Sequence, residues 1–206
     1  MKGLGKVVVC ALAVITISSR VSVSALADDA RVAEGIRYHD EARLKPADNL
    51  AKAKEILGIL EAKSPLARGY YGSAITMEAS ICADEKKYMK SLSLLKEGVK
   101  YIDSAIKDAP ELADLRFIRM INSYELSVGS PVKRFKEMKA DIDWFDQRLD
   151  RFNATERGEI LLYKGLYFVK AHQEEEATKA FDACIAASPG SKEATEAQKQ
   201  LASFAE

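Results

Sequence analysis

Residues 161–189, LLYKGLYFVKAHQEEEATKAFDACIAASP, decide the fold. Leu161, Gly165 and Phe168 fall on one helical stripe, and Ala177, Phe181, Cys184 and Pro189 follow at steps of four, three and five. Recurrence at three and four residues places side chains on one helix face. The stretch therefore predicts two amphipathic helices, the first ending at His172 and the second starting at Glu174, with proline ending the second.

Outward from this pair, parts of its spacing return. Gly35 followed by Tyr38 repeats the small-then-aromatic step of Gly165 and Phe168, and Ile102, Ala105 and Pro110 echo Phe181, Cys184 and Pro189. With these residues in view, the stretch resembles one tetratricopeptide repeat, a helix-turn-helix unit that stacks into a solenoid. The match covers large, small and aromatic positions of the first helix and small, aromatic, small and proline positions of the second. It departs at Lys164, where the family usually has leucine. The resemblance implies an all-α, TPR-like α-solenoid acting as a binding scaffold.

The rest of the chain is helical in pattern, with no convincing strand. Val32, Gly35, Ile36, His39 and Leu44 mark a first helix, and Leu50, Ala53, Ile56, Leu57 and Leu60 a second after Pro46. Ser64 and Pro65 start a third, as N-cap and first helical residue, in which Gly72 marks a close approach between paired helices. Tyr88, Leu92, Leu95, Val99, Ile102 and Ile106 predict a core stripe on a long fourth helix, and Leu112, Leu115, Ile118 and Ile121 a fifth. Ser130 and Pro131 restart a sixth with Val132, Phe135, Met138, Ile142, Phe145 and Leu149 on one face. Asn153 with Glu156 forms a capping-box pattern before the seventh, favoured over the glycosylation sequon that Asn153-Ala154-Thr155 also spells. Four pairs follow, roughly 28–63, 64–109, 110–150 and 153–189, and a last helix from Ser191 supplies the polar outer face a stack needs.

The first 27 residues read as a secretory signal peptide: Lys2 and Lys6, an apolar run from Val7 to Ile17, and Ala25-Leu26-Ala27 at the end. The run is shorter than the ~20 residues that span a bilayer. Cleavage after Ala27 gives an exported, periplasmic or secreted chain, 28–206, as one domain; Arg20 leaves an uncleaved signal anchor as the alternative. Val9 before Cys10 argues against lipidation there. The chain has 31 basic and 31 acidic residues, and loss of Lys2, Lys6 and Arg20 with the leader leaves 28 against 31. Such a balance argues against nucleic acid and anionic membrane surfaces as partners, and no membrane insertion is expected after cleavage. Cys82 and Cys184 remain and read as small buried hydrophobes.

No phosphate loop, nucleophile elbow or zinc-helix motif occurs, so no enzyme, cofactor or metal is expected. His39 and His172 lack a second histidine at helical spacing and read as solvated. Asp141, Asp143, Asp146 and Asp150 read as a solvated helix face, as do Glu174, Glu175 and Glu176. One polar group stands out: Arg116, Arg119 and Asn122 recur at every third residue of the fifth helix. Arginine forks grip carboxylates and peptide backbone, so this ridge is the candidate site for a protein or peptide partner, with Tyr70 and Tyr163 as its flanks. The alternative use of the arginines is salt bridging within the stack. The alternative function is a ligand-binding accessory component of an envelope transport system.

Overall fold

A computed structural model describes residues 30–204. The expected signal peptide and its cleavage point lie outside the described residues. Among the described residues the fold is all-helical: α1 (Ala30–Ala42), α2 (Pro46–Leu60), α3 (Pro65–Asp84), α4 (Tyr88–Asp108), α5 (Ala113–Gly129), α6 (Phe135–Asp146), a 3-10 turn (Leu149–Arg151), α7 (Ala154–Lys170), α8 (Glu174–Ala187) and α9 (Lys192–Ala202). No helix among them is long and apolar enough to cross a membrane.

Local chemistry sets several boundaries. Ser64 accepts from the Ala67 amide at 3.2 Å and Pro65 follows as the first residue of α3. Asn153 and Glu156 form the full capping box of α7, at 3.0 and 2.9 Å. Ser191 caps α9 through the Ala194 amide at 3.0 Å. The sixth helix departs from expectation, starting at Phe135 rather than beside Pro131. Lys133 Nζ instead binds the Ser127 and Ser130 carbonyls, and the Arg134 amide donates to Ser127 Oγ. The three residues after Pro131 thus close the end of α5, whose last carbonyls lack helical partners.

The described residues divide into two compact units, 30–118 and 119–204. In the first, α1 packs on α2 and α3, α2 on α3, and α3 on α4. Its core joins Val32, Leu57, Tyr70, Ile102 and Leu115. The predicted α4 stripe is buried at Leu95, Ile102 and Ile106, half-buried at Leu92 and Val99, and departs from expectation at Tyr88. Tyr88 is 63% exposed, and the buried line runs through Ser91, Leu95, Gly98, Ile102 and Ala105. The reason is close backbone approach: a Cβ on Gly72 would lie 2.6 Å from Gly98 O, and one on Gly98 2.5 Å from Gly72 O. Small residues therefore face α3 beside the larger Tyr101 and Ile102. Leu44 is likewise exposed, beyond the end of α1.

In the second unit α7 packs on α6, α8 and α9, and α8 on α9. Met138, Ile142, Phe145, Ile160 and Phe181 are fully buried. The Phe181 ring rests on Gly165, where any Cβ would overlap it.

The α3–α4 and α7–α8 hairpins turn in the same way. Lys86 (φ 63°) and His172 (φ 57°) adopt the left-handed conformation. The Lys86 amide donates to Ala83 O (2.9 Å) and Lys87 to Cys82 O (2.8 Å); His172 donates to Val169 O (3.2 Å) and Gln173 to Phe168 O (3.0 Å). This is the Schellman pattern. Counted from that residue, equivalent positions are Ile75 and Leu161, Ala79 and Gly165, Cys82 and Phe168 before it, and Ser91 and Ala177, Leu95 and Phe181, Gly98 and Cys184 after it. Phe168 is half-buried and the other eleven are buried. The sequence echo at Ile102, Ala105 and Pro110 is thus one of spacing in α4, set farther from the turn than the equivalent positions.

Candidate functional site

The α5 ridge begins at the helix entrance. Arg116 is half-exposed and its Nε donates to Pro110 O at 2.8 Å, satisfying a carbonyl of the loop before the helix. One turn on, in the second unit, Arg119 sends both arms of its fork into α6: Nε to Asp141 Oδ2 and Nη2 to Asp141 Oδ1, each 2.7 Å. The Asp141 side chain is fully buried. A bidentate pair of this kind is the strong form of the arginine–carboxylate bond. Arg119 therefore joins α5 to α6, the salt-bridging use of the ridge. Asn122 is half-buried on the following turn.

The two tyrosines are interior. Tyr70 is buried with its ring edge-on to His39, centroids 5.0 Å apart at 89°. Tyr163 is buried against Tyr124, at 5.8 Å and 80°. The structure brings neither to a solvent-facing groove edge.

The acidic run of α6 is not uniform. Asp143 pairs with Lys139 at 2.7 Å and Asp146 with Lys164 at 2.8 Å, both on partly exposed surface, so Lys164, the departure from the repeat pattern, holds α7 to α6. Asp141 corrects the solvated reading. It lies between Met138 and Phe145 on the core stripe, where an ionised carboxylate is stable only with a partner such as Arg119. Among the described residues no group of three His, Cys, Asp or Glu is placed to hold a metal.

A second polar centre escaped sequence reading. His39, expected in solvent, is fully buried between α1 and α3. Its Nδ1 lies 3.0 Å from Asp40 Oδ1 and its Nε2 2.9 Å from Ser73 Oγ. A carboxylate only accepts, so Nδ1 carries the proton and Nε2 accepts from the Ser73 hydroxyl. Burial lowers the imidazole's proton affinity, outweighing the Asp40 bond that raises it; Arg43 lowers it further. The order acid, imidazole, hydroxyl matches that of nucleophilic catalysts. Here, however, Ser73 is 3% exposed in mid-helix, and the hydrogen bonds run from helix to helix. The available signal was the stripe itself: His39 follows Val32 and Ile36 at steps of four and three.

Cys82 and Cys184 are free and buried. Cys184 Sγ donates to Gly158 O at 3.1 Å, and burial pushes its thiol up to about 12. Such a thiol is a weak nucleophile at neutral pH. Comparison with family models, with curated proteins and with solved structures finds no match for this chain.

Proposed function

We propose that this chain is an exported, TPR-like helical-repeat scaffold that binds a protein or peptide partner in the cell envelope and carries out no chemistry itself. The observation that supports this best is the shared register of α3–α4 and α7–α8: the same left-handed turn, flanked at the same six offsets by residues of which eleven of twelve are buried and five of six pairs match in size class. Repetition of one helix-turn-helix unit is how solenoids build an extended binding face. The leader-like first 27 residues support export, and the near-neutral, slightly acidic remainder suits a protein partner better than a polyanion.

Within α5 the residues assigned to partner contact are Arg116 and Asn122. Arg119 is excluded from a clean test, because Arg119→Ala removes the bidentate fork that holds the buried Asp141 carboxylate, a loss of about 3–5 kcal/mol. The measurement is chemical cross-linking of the mature chain in intact envelopes, identification of the adduct, and titration of the purified pair. Binding is expected to weaken at least tenfold in Arg116→Ala/Asn122→Ala, with the helical fold retained by circular dichroism. Equal affinity of parent and variant would remove these residues from the interface, and the absence of any specific adduct would count against the scaffold reading. Export is checked separately by the mature N-terminus, expected at Asp28.

A further inference from the structure

We propose that the Asp40–His39–Ser73 chain is an acid-sensitive latch that holds α1 on α3 near neutral pH and releases it as the medium acidifies. Burial favours the neutral ring, and the two hydrogen bonds favour its Nδ1–H form. The ring is sealed from water, donates through Nδ1 to Asp40 of its own helix, and accepts through Nε2 from Ser73 of the neighbouring one. A second proton on Nε2 abolishes that acceptor and sets two donors, N–H and O–H, against each other. The serine must then turn its proton elsewhere, in an interface where the Tyr70 ring stands edge-on at 5.0 Å.

The surrounding charges do not rescue the imidazolium. On α1, Asp40 favours it and Arg43 opposes it, with burial the larger effect. From α3 come the Ser73 hydroxyl and the Tyr70 ring, both uncharged near neutral pH; Glu78 of that helix is bonded to Lys54 and paired with Lys90. On α2, Lys52 lies over the Tyr38 ring, Lys54 is held by Glu78, and Asp48 and Glu55 are exposed. The sign follows. The unfolded or undocked ring has the ordinary value of 6.5 and the docked ring a lower one, so the undocked state binds more protons below about 6.5 and gains as pH falls. The stability that docking provides is intact above that value and is lost below it.

Release is local because α1 is a 13-residue helix that packs on α2 and α3, whereas α3 is also held by α4 through the Gly72–Gly98 contact. Elements with the fewest packed neighbours open first. Undocking uncovers Val32, Ile36 and the faces of α2 and α3 beneath them.

Hydrogen–deuterium exchange of the full chain between pH 7.5 and 5.5, corrected for the intrinsic pH dependence, tests this. Exchange in α1 peptides is expected to rise by up to about tenfold over that interval, with α3 and α4 peptides lagging. In His39→Gln, which has no titrating ring, the α1 rate should be higher at pH 7.5 and flat with pH. A flat wild-type profile, an equal rise in His39→Gln, or a rise shared equally by α4 would overturn the latch. Should His39→Gln fail to fold, ring nitrogen NMR of the wild type decides, since the chain holds only two histidines and His172 is exposed. A neutral Nδ1–H ring persisting while α1 stays protected supports the latch, and an imidazolium in docked α1 at pH 5.5 contradicts it.

Discussion

The α3–α4 and α7–α8 hairpins share a turn and a register, yet only one announces itself in sequence. In α7–α8 the contrast is large: Gly165 lies under Phe181, and Pro189 stops the second helix just past Ala187. In α3–α4 the same positions hold Ala79 and Leu95, and Asp103 stands at the offset of Pro189, so α4 runs on to Asp108. A second contact layer lies within the shared length: Gly72 and Gly98 meet backbone to backbone at the offsets where α7–α8 holds Gly158 and Cys184, whose Sγ donates to Gly158 O. Loss of a proline and a softer size contrast thus lengthen a hairpin and disguise its register without changing its turn.

The difference can be broken most forcefully at the large position. Phe181→Ala should lower unfolding stability by about 3–5 kcal/mol, and Leu95→Ala by less, because the leucine side chain displaces less buried surface than the phenylalanine ring. Chemical denaturation with unchanged slope would check both, and equal losses would argue that the two positions are not alike in kind. The second layer is next. Gly98→Ala should destabilise by about 1–3 kcal/mol despite alanine's better helix propensity, because its Cβ meets a carbonyl that belongs to a rigid helix. A neutral result there would show that the close approach is looser than described. Smallest is the turn itself: Lys86→Gly and His172→Gly each relieve a left-handed non-glycine residue and should each stabilise by about 0.5–1 kcal/mol. A gain at one position alone would separate the two hairpins.

These contrasts explain what was legible beforehand. Helix number and most boundaries could be read because caps and breakers act within a few residues: Ser64, Asn153 and Ser191 need only the next turn. The face of α4 was misjudged in part because periodicity weights large apolar residues, whereas the buried line also takes in Ser91, Gly98 and Ala105 beside Leu95, Ile102 and Ile106 and leaves Tyr88 in solvent. His39 and Asp141 were read as solvated because their partners are distant in sequence, Ser73 and Arg119. A charged or titratable residue on a core stripe reports that it is paired, but pattern alone does not name the partner. The ridge of Arg116, Arg119 and Asn122 was visible as a pattern, and only the fold divides it into an arginine spent on Asp141 and one that faces the loop and solvent.

The measurement that bears most directly on the shared register is backbone NMR of the two turns. Strong intraresidue amide-to-Hα contacts at both Lys86 and His172, with helical shifts on either side, are the predicted result, since only a left-handed residue brings those protons so close. A continuous helix through one turn, or an extended residue at one and a left-handed residue at the other, would contradict the equivalence of the two hairpins and with it the repeat on which the scaffold reading stands.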